Sequence, residues 1–336
     1  MHIRIREETR ERRYLSPYAA LSGSSRGRVY SESQCEVRTV FQRDRDRLLH
    51  SKAFRRLMGK TQVFISPAGD HYRTRLTHTL EVAQISRTVA RALRLNEALT
   101  EAIALGHDLG HTPFGHAGES ALDQLLGSGF HHNEQSLRVV DVVERPRDHL
   151  MGLNLTYEVR DGILCHTGTQ MPATLEGEVV RICDRIAYIN HDIDDAIRAG
   201  LLREQDLPTE SQRLLGIGRH ERIDSMVKDV ITNSWEKPEI SMSRPVADAT
   251  NQLREFLFHN IYMTDNARKE KEKIHGLIAS LFDFYLANPT ERLPLEWRAG
   301  REDEDWRLVA DYIAGMTDRY AIAEYERVFL PRTWSL

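Results

Sequence analysis

The residues able to do chemistry are crowded into one stretch of this 336-residue chain. Seven of its 15 histidines lie between His71 and His132, interleaved with Asp and Gly. A lone buried histidine is usually structural, whereas seven in such a window point to a metal or acid–base centre. The densest part reads Gly106-His107-Asp108-Leu109-Gly110-His111-Thr112-Pro113-Phe114-Gly115-His116-Ala117-Gly118-Glu119. His107 follows Ile103 by four residues and so shares the inward stripe of its helix. With Asp108 it offers a nitrogen and an oxygen ligand side by side, and Gly110 and Pro113 then end the helix. His78 stands four residues before Val82 and seven before Ile85, again facing inward. Asp184 lies four after Val180 and four before Tyr188, in a helix that is apolar on most sides. A buried Asp is costly unless paired or metal-bound. His78, His107, Asp108 and Asp184 therefore make a divalent-metal cage on three helices; the competing reading is a set of hydrogen-bonded core polar groups. Mixed imidazole and carboxylate donors suit Mn, Fe, Zn, Ni or Co and tolerate Mg. His116 and Glu119 sit three residues apart where a new helix starts, and a carboxylate orienting an imidazole is acid–base architecture. The plainer alternative makes Glu119 a helix cap.

The elements that must hold these groups are helical. Val82, Ile85, Val89 and Leu93 recur at three- to four-residue steps, as do Leu99, Ala102, Ile103 and Gly106. Residues 97–109, 176–198, 211–232, 244–262, 266–287 and 303–328 read as further helices, with Asn96 as a cap. Strand signals are scarce. The best is Gln62-Val63-Phe64-Ile65 before Pro67-Ala68-Gly69-Asp70, which predicts at most a small β-hairpin near 62–73. The expected fold is all-α: a basic, partly looped segment over 1–38, a core over 39–200, and a C-terminal helical extension over 201–336 packed on that core.

Composition narrows the class. No apolar run is long enough to span a membrane, and the start Met1-His2-Ile3-Arg4 has no apolar stretch behind it, unlike a secretory signal. Cys35, Cys165 and Cys183 are too few and too widely spaced for a disulfide scaffold or thiolate zinc site, which fits a cytoplasmic protein. Residues 1–60 carry 15 Lys and Arg against 7 Asp and Glu, on an otherwise acidic chain of net charge −4. That asymmetry suggests an anionic partner, or else a solvated helix face with internal pairs such as Arg43-Asp44-Arg45-Asp46-Arg47.

The order His78, His107-Asp108, Asp184 resembles the HD superfamily of metal-dependent phosphohydrolases, and within it the dGTPase-like deoxynucleoside triphosphate triphosphohydrolases. The likeness is carried by Phe54-Arg55-Arg56-Leu57 with Lys60-Thr61-Gln62, by Arg73 to Val82, by His107 to Glu119, by His132-Asn133-Glu134-Gln135-Ser136, and by Asp184-Arg185-Ile186-Ala187-Tyr188-Ile189-Asn190-His191-Asp192. These span about residues 14–200; the C-terminal part carries no motif that aligns. The resemblance implies an HD-domain helical core and a divalent ion, Mn or Mg first, on the four ligands above. It implies cleavage of a dNTP, with dGTP one candidate, to a deoxynucleoside and inorganic tripolyphosphate. It places His116 and Glu119 beside the metal as acid or base, with His111 and His132 as phosphate-contacting or supporting histidines. Arg55, Lys60 and Arg75 become triphosphate ligands, Gln62 a sugar reader, Tyr188 a ring against the deoxyribose, and Asp192 the acceptor for the 3′-OH. A homo-oligomer, often a hexamer, is also implied. The alternatives are another HD phosphohydrolase, such as a 5′-nucleotidase or phosphodiesterase, and a nucleotide sensor or single-stranded nucleic acid binder.

Overall fold

Helix starts follow from capping side chains that the sequence supplies. Thr74, Asn96, Thr174, Thr264 and Thr317 each accept a hydrogen bond from a backbone N–H three residues on, satisfying one of the free donors of a first turn. The computed structural model describes residues 3–62, 73–127, 129–145 and 152–331; these are helices and loops, with no sheet among the described residues. The hairpin expected near 62–73 falls on 63–72, outside the described residues, although Thr61 and Thr74 form an antiparallel bridge. No helix among the described residues is long and apolar enough to cross a membrane.

The first half runs α1 (Ile3–Tyr14), α2 (Val40–His50), α3 (Lys52–Arg56), α4 (Arg75–Ala92), α5 (Glu97–Gly106), α6 (His116–Leu126), α7 (His132–Arg138), α8 (Tyr157–Cys165) and α9 (Leu175–Arg198). The second runs α10 (Thr209–Leu215), α11 (Arg219–Ser234), α12 (Arg244–Leu257), α13 (Asp265–Ala287), α14 (Pro289–Arg292), α15 (Leu295–Arg298), α16 (Asp305–Ala314) and α17 (Asp318–Phe329). Three expected helices differ. The 97–109 helix stops at Gly106, where His107 begins a turn. The 211–232 helix is two, separated at Gly216 and Gly218, which take φ of +101° and +87°. The 303–328 helix likewise breaks at Gly315 into α16 and α17. The 244–262 periodicity continues past α12 as a π-helical turn, Phe258–Tyr262.

Apolar side chains gather in two clusters. The larger joins α2, α4, α5, α8, α9, α11 and α12 through residues such as Phe41, Val82, Ile103, Ile163, Ile186, Met226 and Leu253. The smaller joins Phe114 and the inner face of α6 (Ala121, Leu122) to α13, α16 and α17. The helix bearing His116 and Glu119 is thus packed chiefly on the C-terminal extension, while the helices bearing the metal-ligand candidates belong to the larger cluster.

Candidate active site and metal centre

The cap at Thr74 starts α4 so that His78 comes at the end of its first turn, buried beside Val82. His107 follows the last residue of α5, and its Nδ1–H donates to the Ala104 carbonyl at 2.7 Å. That bond commits Nδ1 and leaves Nε2 as the nitrogen that meets a proton or an ion. Asp184 lies mid-way along α9. His78 Nε2 is 3.1 Å from Asp184 Oδ1 and 3.9 Å from Asp108 Oδ2; His107 Nε2 is 3.6 Å from Asp108 Oδ1 and 3.7 Å from Asp184 Oδ1. Ligands about 2.0–2.1 Å from a common ion stand roughly 3–3.4 Å apart, close to this spacing. His107 Nε2 is buried with no hydrogen-bond partner. An orphaned imidazole nitrogen aimed between two carboxylates is what a metal ligand looks like. His78, His107 and Asp108 also satisfy the spacing for a shared ion.

Electrostatics agree. Burial alone would raise both carboxylates. Instead His111 and the Arg75 guanidinium hold Asp108 well below the usual range, and the nearby His107 and His78 imidazoles do the same for Asp184. The two carboxylates in turn push the His107 imidazole up to about 9 against its burial. Two charged carboxylates drawing a proton onto His107 form a site that a divalent cation would satisfy instead.

Arg75 is 1 % exposed and does not reach outward. Its NH1 donates to Asp108 Oδ2 at 2.8 Å and its NH2 to the Gln62 carbonyl at 3.4 Å. Asp108 Oδ1 faces His111 Nε2 at 3.2 Å. Burial and Arg75 push the His111 pKa well down, so the neutral ring donates to Asp108 and stacks on His132 at 4.0 Å.

Gly115, with φ of +58°, turns the chain into α6 and places His116 at its first position. His116 is 75 % exposed in its side chain, and its Nδ1 lies 3.0 Å from Glu119 Oε2. The other oxygen, Glu119 Oε1, accepts from His132 N at 2.7 Å and His132 Nδ1 at 2.8 Å. These donors outweigh burial and keep the Glu119 carboxyl ionised, far below its ordinary value. The chain of rings continues from His132 Nε2 to His166 Nε2 at 3.2 Å, and His166 Nδ1 donates to the Ile163 carbonyl at 2.7 Å. His166 also packs edge-on against His107, their centroids 5.1 Å apart. The pair at His116 is thereby linked to the metal-ligand candidate His107 through two intervening histidine rings, His132 and His166.

The remaining expected contacts divide. Tyr188 and Asp192 follow Asp184 on one face of α9. Asp192 accepts from the Tyr262 hydroxyl, its other oxygen is buried without a partner, and burial raises its pKa to about 7. Arg55 is exposed on α3, with no ion pair among the described residues. Gln62 borders Arg75 through its carbonyl, and its side-chain oxygen is buried without a partner. Lys60, expected on the triphosphate, is instead 2 % exposed, and its ammonium ends on the carbonyls of His111 and Ala314. Nothing in the spacing pointed to Tyr262, 70 residues from its partner; His166 was visible as a histidine but had no evident role.

Comparison with known proteins follows the same residues. The HD domain matches residues 75–189 and a phosphohydrolase-associated domain matches 240–327. The chain is 59 % identical to a deoxyguanosinetriphosphate triphosphohydrolase-like protein of Caldanaerobacter subterraneus, over 99 % of this chain and 98 % of that one. It is 48 % identical to proteins of the same description from Desulfatibacillum aliphaticivorans (98 % and 99 %) and Clostridium perfringens (99 % and 99 %). A phosphohydrolase structure from Bacteroides thetaiotaomicron shares the fold, with a TM-score of 0.51 at 17 % identity over 84 % of this chain and 67 % of that one.

Proposed function

Because the chain belongs to the HD-domain deoxyguanosinetriphosphate triphosphohydrolase-like family, we propose that it hydrolyses deoxynucleoside triphosphates to deoxynucleoside and inorganic tripolyphosphate. The observation that carries the reading is the meeting of two devices: a buried two-His, two-Asp cage and, beside it, an exposed histidine held by an ionised glutamate. Held at His78, His107, Asp108 and Asp184, a divalent ion, Mn or Mg by preference, would supply Lewis acidity toward phosphoryl oxygens. His116 does the proton work. Glu119 holds its Nδ1–H, so Nε2 is the atom that takes a proton from the attacking water or returns one to the departing oxygen. The water oxygen bonds to the α-phosphorus, the bond from that phosphorus to the 5′ oxygen breaks, and the 5′ oxygen leaves as an alcohol. On this reading His132, His111 and Arg55 are the side chains assigned to the phosphate oxygens. Tyr188 and Asp192, with Tyr262 behind them, form the sugar side. A tyrosine ring against C2′ disfavours a ribose hydroxyl, a steric ground for choosing dNTP over NTP.

The test is product analysis. Purified protein is incubated with each dNTP and NTP, singly and mixed, with Mn or Mg, and the products are separated by ion exchange. Deoxynucleoside plus tripolyphosphate supports the proposal. Orthophosphate from monophosphates moves the reading to a nucleotidase. No product, together with salt-sensitive binding of single-stranded DNA, moves it to a binding module.

A further inference from the structure

We propose that Asp318, from the C-terminal extension, is a positioning residue that sets the height of the catalytic loop. The inference rests on the reaction proposed above. Asp318 is buried in the first turn of α17, and its carboxylate grips two separate segments. Oδ2 accepts from Thr61 N at 3.0 Å and Thr61 Oγ1 at 2.7 Å; Oδ1 accepts from Phe114 N at 2.8 Å. Thr61 precedes Gln62, and Phe114 is two residues before His116.

The loop that Asp318 holds does not rest naturally in its shape. Phe114 and Gly115 are consecutive left-handed residues, with φ of +62° and +58°. A phenylalanine pays for such a conformation, so it persists where surrounding contacts over-determine it. Its ring is buried in the smaller apolar cluster, and its amide is fixed by Asp318. Gly115 then lies so near the buried guanidinium that a Cβ there would sit 2.9 Å from Arg75 NH2. Arg75 is the residue on Asp108. The carboxylate of Asp318 therefore sets how far His116 stands from the metal ligands, and Lys60, bridging the His111 and Ala314 carbonyls, makes a second tie between the same parts. Asp318 touches no reacting atom; it acts through Phe114 and Thr61.

Asp318→Asn tests this. The amide has one acceptor oxygen, so either Thr61 N or Phe114 N loses its acceptor and faces an N–H donor. Displacement of a catalytic group by about 1 Å can cost on the order of 100-fold in rate. The expected result is a fall in kcat of about 10- to 100-fold, with KM and bound metal nearly unchanged. Amide hydrogen exchange should quicken in residues 112–119 and stay unchanged in α4 and α9. Thr61→Ser should behave as the parent; Thr61→Val, losing one bond, should fall between. Unchanged kcat, or unchanged exchange at 112–119, overturns the proposal. So does general loosening with loss of metal, which would make Asp318 a stability residue only. If the parent protein cleaves no dNTP, the proposed reaction has failed, and the exchange comparison still decides whether Asp318 positions the loop.

Discussion

Replacing Glu119 by glutamine should change which nitrogen of His116 carries the proton. The wild-type carboxylate receives three donors: His132 N and Nδ1 on one oxygen and His116 Nδ1 on the other. The backbone donor of His132 cannot reverse. The glutamine carbonyl must therefore stay on the His132 side, which turns its NH2 toward His116. His116 Nδ1 then has to accept, and its proton moves to Nε2, the atom that faces out to substrate. A general base in the wrong tautomer has lost its lone pair where it is needed; such an error costs up to about 10⁴ in kcat in a serine protease. Positioned acid–base groups contribute about 10²–10⁴ in general. Glu119→Gln should thus lower kcat by roughly 10²–10⁴, with metal content unchanged because none of the cage residues is touched. The assay is steady-state tripolyphosphate release beside metal analysis of the same sample. Near-parental turnover by a fully loaded Glu119→Gln protein would refute the reasoning and make Glu119 a structural tether between α6 and α7.

Three further outcomes are expected. His107→Ala or Asp184→Ala should lose bound metal and turnover while far-ultraviolet circular dichroism stays helical; a mutant that keeps its full metal complement sinks the cage. Gly110→Ala places a Cβ 2.1 Å from Ser136 N and 2.5 Å from the His132 carbonyl, both backbone atoms, so α7 must shift. Overpacking of that kind costs about 1–3 kcal/mol or more, readable as a lower urea midpoint; an unchanged midpoint contradicts the close approach. Glu176 is wholly buried, and burial raises its pKa to about 7 despite bonds from Ala20 N and Asn96 N. A carboxyl raised in the folded state binds its proton more tightly there, so its contribution is complete below the unfolded value near 4.5 and is lost as pH rises through about 7. Chemical denaturation from pH 5 to 8 should show stability falling by up to about 3 kcal/mol more in the parent than in Glu176→Gln. Parallel profiles would mean that Glu176 is already ionised at pH 5.

The part of the site legible in the sequence is the part set by helical period. His78, His107, Asp108 and Asp184 face one point because each keeps an inward spacing to a buried apolar neighbour, and Glu119 meets His116 because residues three apart share a helix face. What spacing could not give is where long side chains end. Arg75 and Lys60 look alike as cations near a motif, yet one finishes on Asp108 and the other on two carbonyls, as decided by which elements close over them. Glycine breaks at 216–218 and 315 split helices that periodicity alone ran together. Tyr262 and Asp318 were invisible for a different reason: each reaches its partner across 70 or more residues, so no local spacing relates the two.

The placement of the arginines also governs which anions the surface can attract. The surplus of arginine in residues 1–60 invites the idea of a basic platform for nucleic acid. Much of it is instead turned inward. Arg28, Arg43 and Arg47 converge on Glu32, Arg28 also binds buried Asp44, and Arg38 and Arg45 share Asp46. Arg4 pairs with Glu8. What remains exposed in this segment includes Arg6, Arg10, Arg12 and Arg13 on α1, together with Arg55 on α3. Near the cage the cations are engaged too: Arg75 on Asp108, and Arg73 on Glu81 and Asp195. Arg185 and Arg254, by contrast, are exposed, act on the Tyr188 hydroxyl and have no ion pair among the described residues, so they are the guanidinium groups that an anion beside α9 would meet.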